Sequence, residues 1–312
     1  MNAKPLYLTE SDVRRLLPMN ECIALVRAAF ERLARGETIN HPRRRLILPT
    51  RSALHYMAGA DGGYYGIKVY STNPGHEAHF RFLLYRAADA ALLAIFEANS
   101  LGQIRTGAAS GLATDLLARP DSRTLAVIGS GFQARAQVEA MLAVRRFEHV
   151  RVWSRAAEKR ESFAADCARS FGAAVEATSS AEAAVRGADV LVTATSAGHP
   201  VVASEWVAGG AHVNAMGSNQ AKRREIPAEL VERAGLIVVD SREQSMIESG
   251  DLLLAFHEGD WERVVELQEL VAGRPGRTRA EEVTIFKSNG LAIEDVVAAG
   301  YVYERAMEEG PA

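Results

Sequence analysis

The chain begins with two stretches in which apolar residues recur at helical spacing. Thr9 and Asp12 have the spacing of a capping box, and the apolar positions of the first stretch follow directly. In the second stretch, about 20–33, apolar residues repeat on one face until Gly36 ends the pattern. The sequence therefore predicts two N-terminal amphipathic helices.

Farther along, apolar and polar residues alternate in short segments that Pro, Gly and Asn separate. This period of two predicts the strands of an antiparallel sheet. A run of small and apolar residues, Leu101–Leu117, then predicts a tightly packed helix, and residues 118–121 are interpreted as the hinge after it. The predicted strands are 44–48, 53–58, 65–70, 80–85 and 92–97.

From Thr124 onwards, short continuous apolar runs alternate with helical segments. Such an alternation is typical of a parallel sheet with helices on both faces. A last strand, 284–286, precedes a helix from Leu291 to about Met307, which is predicted to return to the first domain. The other predicted strands are 124–129, 150–154, 174–177, 190–194, 212–216 and 236–240.

Composition narrows the class of protein. The 312 residues are 48% hydrophobic and 24% charged, which excludes disorder, fibres and coiled coils and suggests about two domains. With 36 basic and 39 acidic residues, no positive excess favours a nucleic-acid partner. Cys22 and Cys167 form neither a CxxC pair nor part of a metal-ligand cluster, so no metal is expected. Without an apolar leader or membrane-length apolar run, the expected location is the cytoplasm.

The sharpest local signal is a GxGxxA motif that follows an apolar strand and opens a predicted helix. Gly129 permits the tight turn, Gly131 lets the backbone approach a pyrophosphate, and Ala134 allows close packing of helix on strand. A purely structural glycine turn is the alternative, but the strand–turn–helix context favours dinucleotide binding. The predicted cofactor-binding residues of this motif are Gly129, Ser130, Gly131, Phe132, Gln133 and Ala134.

The end of the second parallel strand bears on the choice of dinucleotide. An acidic residue there would bind the ribose 2′-hydroxyl, whereas a cation suits a 2′-phosphate. This strand ends in Ser154 and Arg155, with Lys159 one turn later and no carboxylate at the tip. NADP(H) is therefore favoured over NAD(H), although a merely solvated Arg155 is the alternative.

Three cations stand in otherwise apolar strand or helix contexts of the first domain. Arg44 and Arg105 could clamp one carboxylate, because a guanidinium offers paired donors that match two oxygens. Lys68, inside a predicted strand, would then serve beside them as an ammonium or proton donor. Taken alone, each of these cations is more often a surface or ion-paired residue than a site residue.

These motifs together resemble the ornithine cyclodeaminase/μ-crystallin family. The similar segments occur in the family's order across nearly the whole chain. They are PRRR (42–45), GIKVYSTNPG (66–75), IRTGAASGLA (104–113), VIGSGFQA (127–134), VNAMGSN (213–219), RREI (223–226), VDS (239–241), ESGD (248–251) and TIFKSNGLAIEDVVAA (284–299).

The resemblance implies the fold class and the domain limits. It implies a Rossmann-type doubly wound parallel sheet, 119–290, inserted in a discontinuous α/β substrate-binding and dimerisation domain, 1–118 plus 291–312. A homodimer is expected, formed through the sheet of the substrate-binding and dimerisation domain.

The resemblance also implies roles for particular side chains. The substrate carboxylate would be held by Arg44, Lys68 and Arg105, where Arg44 is chosen over Arg43 or Arg45 by its spacing to Lys68. The residues expected to place the nicotinamide are Thr195, Met216, Gly217, Lys287 and Ser288.

Two departures from the family pattern guide the choice of activity. Ornithine cyclodeaminases carry an aspartate where this sequence has Asn219, and a glutamate where it has His55. Asparagine has no titratable proton near neutral pH and cannot act as a general base. Asn219 is thus expected to hydrogen-bond the imine nitrogen or product amine, and His55 is a candidate acid or a satisfied core residue.

The sequence therefore predicts an NAD(P)H-dependent reductase of a small α-imino acid. A cyclic ketimine such as pyrroline- or piperideine-2-carboxylate would yield the L-amino acid. The alternatives are an ornithine cyclodeaminase or amino-acid dehydrogenase on the same scaffold, and a non-catalytic NADP- or ligand-binding protein of the crystallin type.

Overall fold

The structure is a computed structural model that describes residues 4–310, and these residues form two compact units. The first unit contains the described residues up to Arg105 and those from Gly290 onwards, and Thr106–Asn289 forms the second. The first division falls inside a helix, Asn99–Leu117 (α3), rather than after it. The domain limits 119–290 and 1–118 plus 291–312 stay a prediction.

The first unit is built on a seven-stranded mixed sheet. Its strand order is β1-β7-β6-β5-β4-β2, with β3 also paired to β4; β1 is parallel to β7, and the other pairs are antiparallel. The strands are β1 (Leu6–Leu8), β2 (Ile39–Asn40), β3 (Arg44–Ile47), β4 (Ala53–Asp61), β5 (Tyr64–Thr72), β6 (His79–Arg86) and β7 (Leu92–Glu97).

Helices of the first unit cover one face of this sheet. The C-terminal helix α11 (Ala292–Glu309) packs on β4 and β5 and contacts α1 (Glu10–Leu16) and α2 (Met19–Ala34). Thr9 caps α1 through the predicted capping box with Asp12. The return of the last helix to this unit confirms the predicted connection.

One row of paired residues across the sheet fixes the position of Lys68, the buried lysine of this unit. Met57 in β4 pairs with Lys68 in β5, Lys68 pairs with Phe82 in β6, and Phe82 pairs with Phe96 in β7. All four side chains are buried, so Lys68 points into the core between apolar neighbours. Because alternate residues of a strand face opposite sides, this row fixes which neighbours share its face.

The second unit is a doubly wound eight-stranded parallel sheet, which confirms the predicted fold class. Its strand order is β10-β9-β8-β11-β12-β15-β13-β14, and every neighbouring pair is parallel. The strands are β8 (Thr124–Ile128), β9 (His149–Trp153), β10 (Val175–Ala177), β11 (Val190–Thr193), β12 (His212–Ala215), β13 (Leu236–Val239), β14 (Val264–Glu266) and β15 (Thr284–Lys287).

The helices between these strands are mostly short. β8 and β11 are buried at every position, which explains their mostly apolar sequences. β12 and β15 are also buried at every position, although they contain His212, Asn214 and Lys287. The helices are α4 (Phe132–Val144), α5 (Ala157–Phe171), α6 (Ala181–Val185), α7 (Ala228–Glu232), α8 (Arg242–Glu248), α9 (Gly250–Leu253) and α10 (Leu267–Val271).

The sequence pattern missed three short strands. β1, β2 and β14 have two or three residues each, too few for a period-two pattern to emerge. Within residues 4–310, no helix is both long and apolar enough to cross a membrane.

Candidate active site

The GxGxxA turn has the geometry that its glycines require. Gly129 adopts a φ of 124°, and a Cβ there would lie 2.3 Å from the carbonyl oxygen of Ala194. Gly131 is the N-cap of α4, and Ala134 is fully buried in its first turn. The strand–turn–helix arrangement therefore presents the N-terminus of α4 at the carboxyl end of β8, where anions bind well.

A cavity of about 1450 Å³ opens at the carboxyl ends of β8, β9 and β11. The sheet order reverses between β8 and β11, and this switch point is where open α/β sheets bind nucleotides. Ala134 packs beneath the turn rather than in the lining. The predicted cofactor residues that line the cavity are Gly129, Ser130, Gly131, Phe132, Gln133, Ser154, Arg155, Lys159, Thr195, Met216 and Gly217.

The residues at and after the end of β9 line the cavity beside the Gly-rich turn. The hydroxyls of Ser130 and Ser154 are 2.8 Å apart, so the Gly-rich turn and the end of β9 are joined. Arg155 and Lys159 are exposed along the cavity wall, and Arg160 donates a hydrogen bond to the carbonyl of Ser154. The two exposed cations give this end of the cavity a positive character suited to phosphate.

A buried carboxylate that the sequence analysis passed over joins two cavity-lining loops. Glu225 accepts from the N–H and the hydroxyl of Thr195 at 2.6 Å each and from the N–H of Gly217 at 2.7 Å. It also accepts from the hydroxyl of Thr193 at 3.0 Å. Burial raises the pKa of Glu225, while the hydrogen bonds from Thr195 oppose that shift.

Lys287 and Ser288 are not among the described residues that line this cavity, and their position at the nicotinamide stays a prediction. Lys287 is fully buried, lies 3.1 Å from a carboxylate oxygen of Asp251 and donates to the carbonyl of Ser218. The Ser288 hydroxyl donates to Asp240 at 3.3 Å. Lys287 ends β15, whose neighbours in the sheet are β12 and β13. Ser218 and Asp240 lie in the segments after these two strands, and Asp251 lies in α9.

In the first unit, Lys68 is buried with a carboxylate from the C-terminal helix. Its Nζ lies 2.9 Å from Asp295 and 5.5 Å from the ring centre of Phe80, and Gly102 of α3 leaves room for the ammonium. Burial and, to a smaller extent, the nearby guanidinium groups lower the pKa of Lys68, Asp295 opposes them, and the resulting pKa is about 8. An ammonium with this pKa can donate a proton close to neutral pH.

Arg105 lies in the same buried cluster. Its Nε lies 3.1 Å from Asp295 and its Nη1 lies 2.9 Å from Glu294. Burial opposes the charge of Arg105, but the two carboxylates outweigh it and raise the pKa of the guanidinium. Burial likewise opposes the charge of Asp295, yet Arg105 and Lys68 keep its pKa below the usual range.

The structure brings Arg43, and not Arg44, beside Lys68. Arg44 pairs with Tyr56, which lies on the other face of the sheet from Met57, and both Arg44 and Tyr56 are exposed. Arg43 is buried, its Nη2 is 3.5 Å from the sulfur of Met57, and its charge acts on Lys68. Arg43 and Arg44 differ in this way because one residue reverses the face of a strand, and Arg44 as a ligand of the substrate stays a prediction.

His55 and Asn219, the two departures from the cyclodeaminase pattern, have different surroundings. His55 stacks on Tyr70 at 4.5 Å, and its Nε2 is 2.8 Å from the hydroxyl of Thr72. It shares the sheet face of Lys68 as a packed side chain. Asn219 is half-buried in the loop after β12 and is not part of the cavity lining in the described residues.

A family model matches the sequence over nearly the whole chain. The model of the ornithine cyclodeaminase/mu-crystallin family matches residues 3–310. The chain belongs to this family. The resemblance that the motifs indicated is thereby confirmed.

Several proteins that are similar to this chain in sequence or structure have names that describe enzymes acting on imino or amino acids. A Delta(1)-pyrroline-2-carboxylate reductase of Bacillus cereus (strain ZK / E33L) is 36% identical over 98% of this chain and 98% of that protein. The structure of Thermococcus litoralis Delta(1)-pyrroline-2-carboxylate reductase with NADH and L-proline has a TM-score of 0.93, at 36% identity over 98% of each chain. An archaeal alanine dehydrogenase dimer with bound NAD has a TM-score of 0.91, at 34% identity over 98% of this chain and 97% of that one.

The family motifs contained the carboxylates that the sequence analysis left without a role. Glu294 and Asp295 occupy the first turn of α11 and are fully buried, although their neighbours are apolar. Two adjacent acids in an apolar helix were the available signal, because such acids stay buried only when cations neutralise them. Glu225 and Asp251 are also buried acids within family motifs, the RREI and ESGD segments.

Proposed function

We propose that this protein reduces a small α-imino acid, a cyclic ketimine such as pyrroline- or piperideine-2-carboxylate, to the L-amino acid with NAD(P)H. The observation that carries the proposal is the buried cluster in the first unit. In the described residues it combines three cations, Arg43, Lys68 and Arg105, with two carboxylates, Glu294 and Asp295. Buried side-chain cations gathered in one cluster are suited to binding the carboxylate of a small substrate.

In this proposal the cations hold and orient the substrate. Arg43 and Arg105 bind the carboxylate, replacing the assignment of Arg44. Asp295 and Glu294 position Arg105, since a guanidinium bound by carboxylates at both Nε and Nη1 keeps its remaining donors in a fixed direction. Orientation of the imine by its carboxylate supplies most of what this reaction needs from the protein.

Lys68 holds the proton of the reaction. Its ammonium, with a pKa of about 8, donates to the imine nitrogen, and Asp295 keeps it protonated near neutral pH. When bound in the cavity of the second unit, NAD(P)H supplies the hydride that the imine carbon accepts. The product is the amino acid, and Lys68 regains its proton from water.

The residues of the cavity fit a dinucleotide, and we propose NADP(H) as the preferred form. The Gly129 turn and the α4 N-terminus suit a pyrophosphate, and a Cβ at Gly129 would collide with backbone. Arg155 and Lys159 support binding of a 2′-phosphate. NADH and NAD in the two similar structures support the coarser statement that the cofactor is a nicotinamide dinucleotide.

An amino-acid dehydrogenase is the second candidate, because the similar archaeal structure is an alanine dehydrogenase. The same cluster would bind an amino-acid carboxylate, and the reaction would run in the oxidative direction. A cyclodeaminase is less favoured because Asn219 stands where that activity needs an aspartate.

We also propose that the protein forms a homodimer through the sheet of the first unit. Several apolar side chains of β2, β3 and β4 are exposed there, and the similar alanine dehydrogenase is described as a dimer. These side chains are Ile39, Leu46, Ile47, Leu54 and Tyr56.

A substrate panel tests the proposed activity. The purified protein should oxidise NADPH with pyrroline-2-carboxylate or piperideine-2-carboxylate and should form proline or pipecolate. Oxidation of L-alanine with NAD that exceeds imine reduction would favour the dehydrogenase. Release of ammonia from L-ornithine, without turnover of either ketimine, would overturn the proposal.

A further inference from the structure

We propose that Glu225 is the positioning residue of the cofactor site: its carboxylate joins the loops after β11 and β12 into one rigid wall of the cavity. The inference rests on the proposed dinucleotide site and assigns a role to a residue outside its lining. We call the four hydrogen bonds to Glu225, from Thr193, Thr195 (two) and Gly217, the Glu225 clamp.

The clamp connects groups that lie on neighbouring parallel strands. Thr193 ends β11, Thr195 follows it, and Gly217 follows β12 by two residues. Each carboxylate oxygen accepts two hydrogen bonds: Oε1 from Thr195, and Oε2 from Thr193 and Gly217. One fully buried side chain thus satisfies the strand-end donors of both loops, and Thr195 and Gly217 themselves line the cavity.

Gly217 has no side chain, and the carboxylate of Glu225 occupies the space that a side chain would fill. A Cβ on Gly217 would lie 2.5 Å from each carboxylate oxygen of Glu225 and 2.4 Å from the carbonyl oxygen of Thr195. Any larger residue would push Glu225 out of the clamp. Glycine is therefore required by the approach of the carboxylate, besides any approach of a cofactor.

The backbone of Glu225 is held in place by a second buried acid, Asp251. Its backbone N–H donates to a carboxylate oxygen of Asp251 at 2.6 Å, and the next N–H, of Ile226, donates to the same oxygen at 3.1 Å. Asp251 also lies 3.1 Å from Lys287. The buried acids of the RREI and ESGD segments and the lysine of β15 thus form one support for the cavity wall.

Replacement of Glu225 by glutamine tests the clamp. E225Q keeps the size of the side chain but turns one acceptor into a donor, so at least one N–H loses its partner. We expect the dissociation constant for NADPH to rise about tenfold to a hundredfold. Quenching of tryptophan fluorescence reports binding, since Trp153 and Trp206 line the cavity. Hydrogen exchange at Thr195 and Gly217, measured without cofactor, should accelerate.

Two further variants separate positioning from general stability. E282Q alters a buried carboxylate that accepts from the Thr278 N–H just before β15, at the opposite end of the sheet. It should leave the dissociation constant within about twofold of wild type. T193V is isosteric, keeps the cavity lining intact and removes one hydrogen bond to Glu225, so a rise of about twofold to tenfold is expected.

The outcomes decide the clamp independently of the reductase activity. Wild-type affinity and wild-type exchange in folded E225Q, or in T193V if E225Q does not fold, would overturn the inference. A similar loss of affinity in E282Q would overturn it too. A chain that binds dinucleotide and responds to E225Q, yet reduces no imine, would refute the proposed function while supporting the clamp.

Discussion

Buried carboxylates bind different partners in the two units of this protein. In the first unit Asp295 and Glu294 bind the side-chain cations Lys68 and Arg105. In the second unit Glu225 and Asp251 bind mainly backbone N–H groups of loops. The difference follows from what each unit has to present to its ligand.

A substrate carboxylate is bound best by directed side-chain cations, and buried cations need nearby anions to stay charged. A pyrophosphate is bound by backbone N–H groups and a helix N-terminus, so the protein has to fix backbone there. In the first unit the acids therefore keep buried cations charged. In the second unit they fix the backbone of the loops that line the cavity. We therefore expect substitutions of charged residues in the first unit to change stability and kcat/KM for the ketimine strongly. Substitutions in the second unit should change mainly the affinity for the cofactor, and by less.

The largest effect is expected from Asp295→Asn. The change leaves Lys68 and Arg105 without the carboxylate they share, and breaking a buried ion pair costs about 3–5 kcal/mol of stability. We expect kcat/KM for the ketimine to fall at least about a hundredfold. Denaturant unfolding and steady-state kinetics check both numbers. Glu304→Gln on the same helix, an exposed carboxylate bound by Tyr64, should change stability by about 0.5 kcal/mol or less.

The pair Arg43→Ala and Arg44→Ala tests which arginine binds the substrate. Loss of a buried cation from the cluster should raise KM for the ketimine about tenfold to a hundredfold, because a charged hydrogen bond is worth about 1.5–3 kcal/mol. The exposed Arg44 should be replaceable with less than about a twofold change. The reverse order of effects in steady-state kinetics would restore the assignment of Arg44.

The pH profile tests Lys68 as the proton donor. Burial lowers its pKa to about 8, and the protonated form is the active one, so kcat/KM should be level below that pH and fall as the pH rises through it. Removal of the Asp295 carboxylate should lower the pKa of Lys68 and move this alkaline limb to lower pH. An alkaline limb that does not move in Asp295→Asn would assign the proton to another group.

The smallest effect is expected from Arg155→Ala in the cavity of the second unit. An exposed cation that contacts a 2′-phosphate contributes about 1 kcal/mol, so KM for NADPH should rise about fivefold to tenfold. KM for NADH should stay within about twofold. Equal changes for both cofactors would remove the argument for NADP(H), and the substitution Arg151→Ala, on β9 outside the cavity lining, serves as the control.

Periodic elements and the cofactor turn were predictable because their signals are local. Helical and alternating patterns gave the long helices and strands, and GxGxxA is a contiguous motif whose glycines have stereochemical reasons. The strand register was not predictable from spacing. A one-residue difference places Arg44 on the opposite face from Lys68, and only the pairing of β3 with β4 resolves it.

The acids of both sites escaped prediction because their partners lie far away in the chain. Asp295 is 227 residues from Lys68, and Glu225 is 30 residues from Thr195. An isolated acidic residue in an apolar segment indicates burial with a partner, but it does not say which partner. Lys287 likewise lies beside an acid that is distant in the chain, Asp251, and its place at the nicotinamide, which the family resemblance implied, stays a prediction.

The central claim is that the cluster of the first unit recognises the carboxylate of an imino acid. The most direct measurement compares kcat/KM for pyrroline-2-carboxylate and for pyrroline without its carboxylate, in the wild-type protein and in Arg105→Met. Wild type should prefer the carboxylate substrate by about a hundredfold or more, and the variant should lose most of that preference. An unchanged preference in a folded Arg105→Met protein would contradict the account.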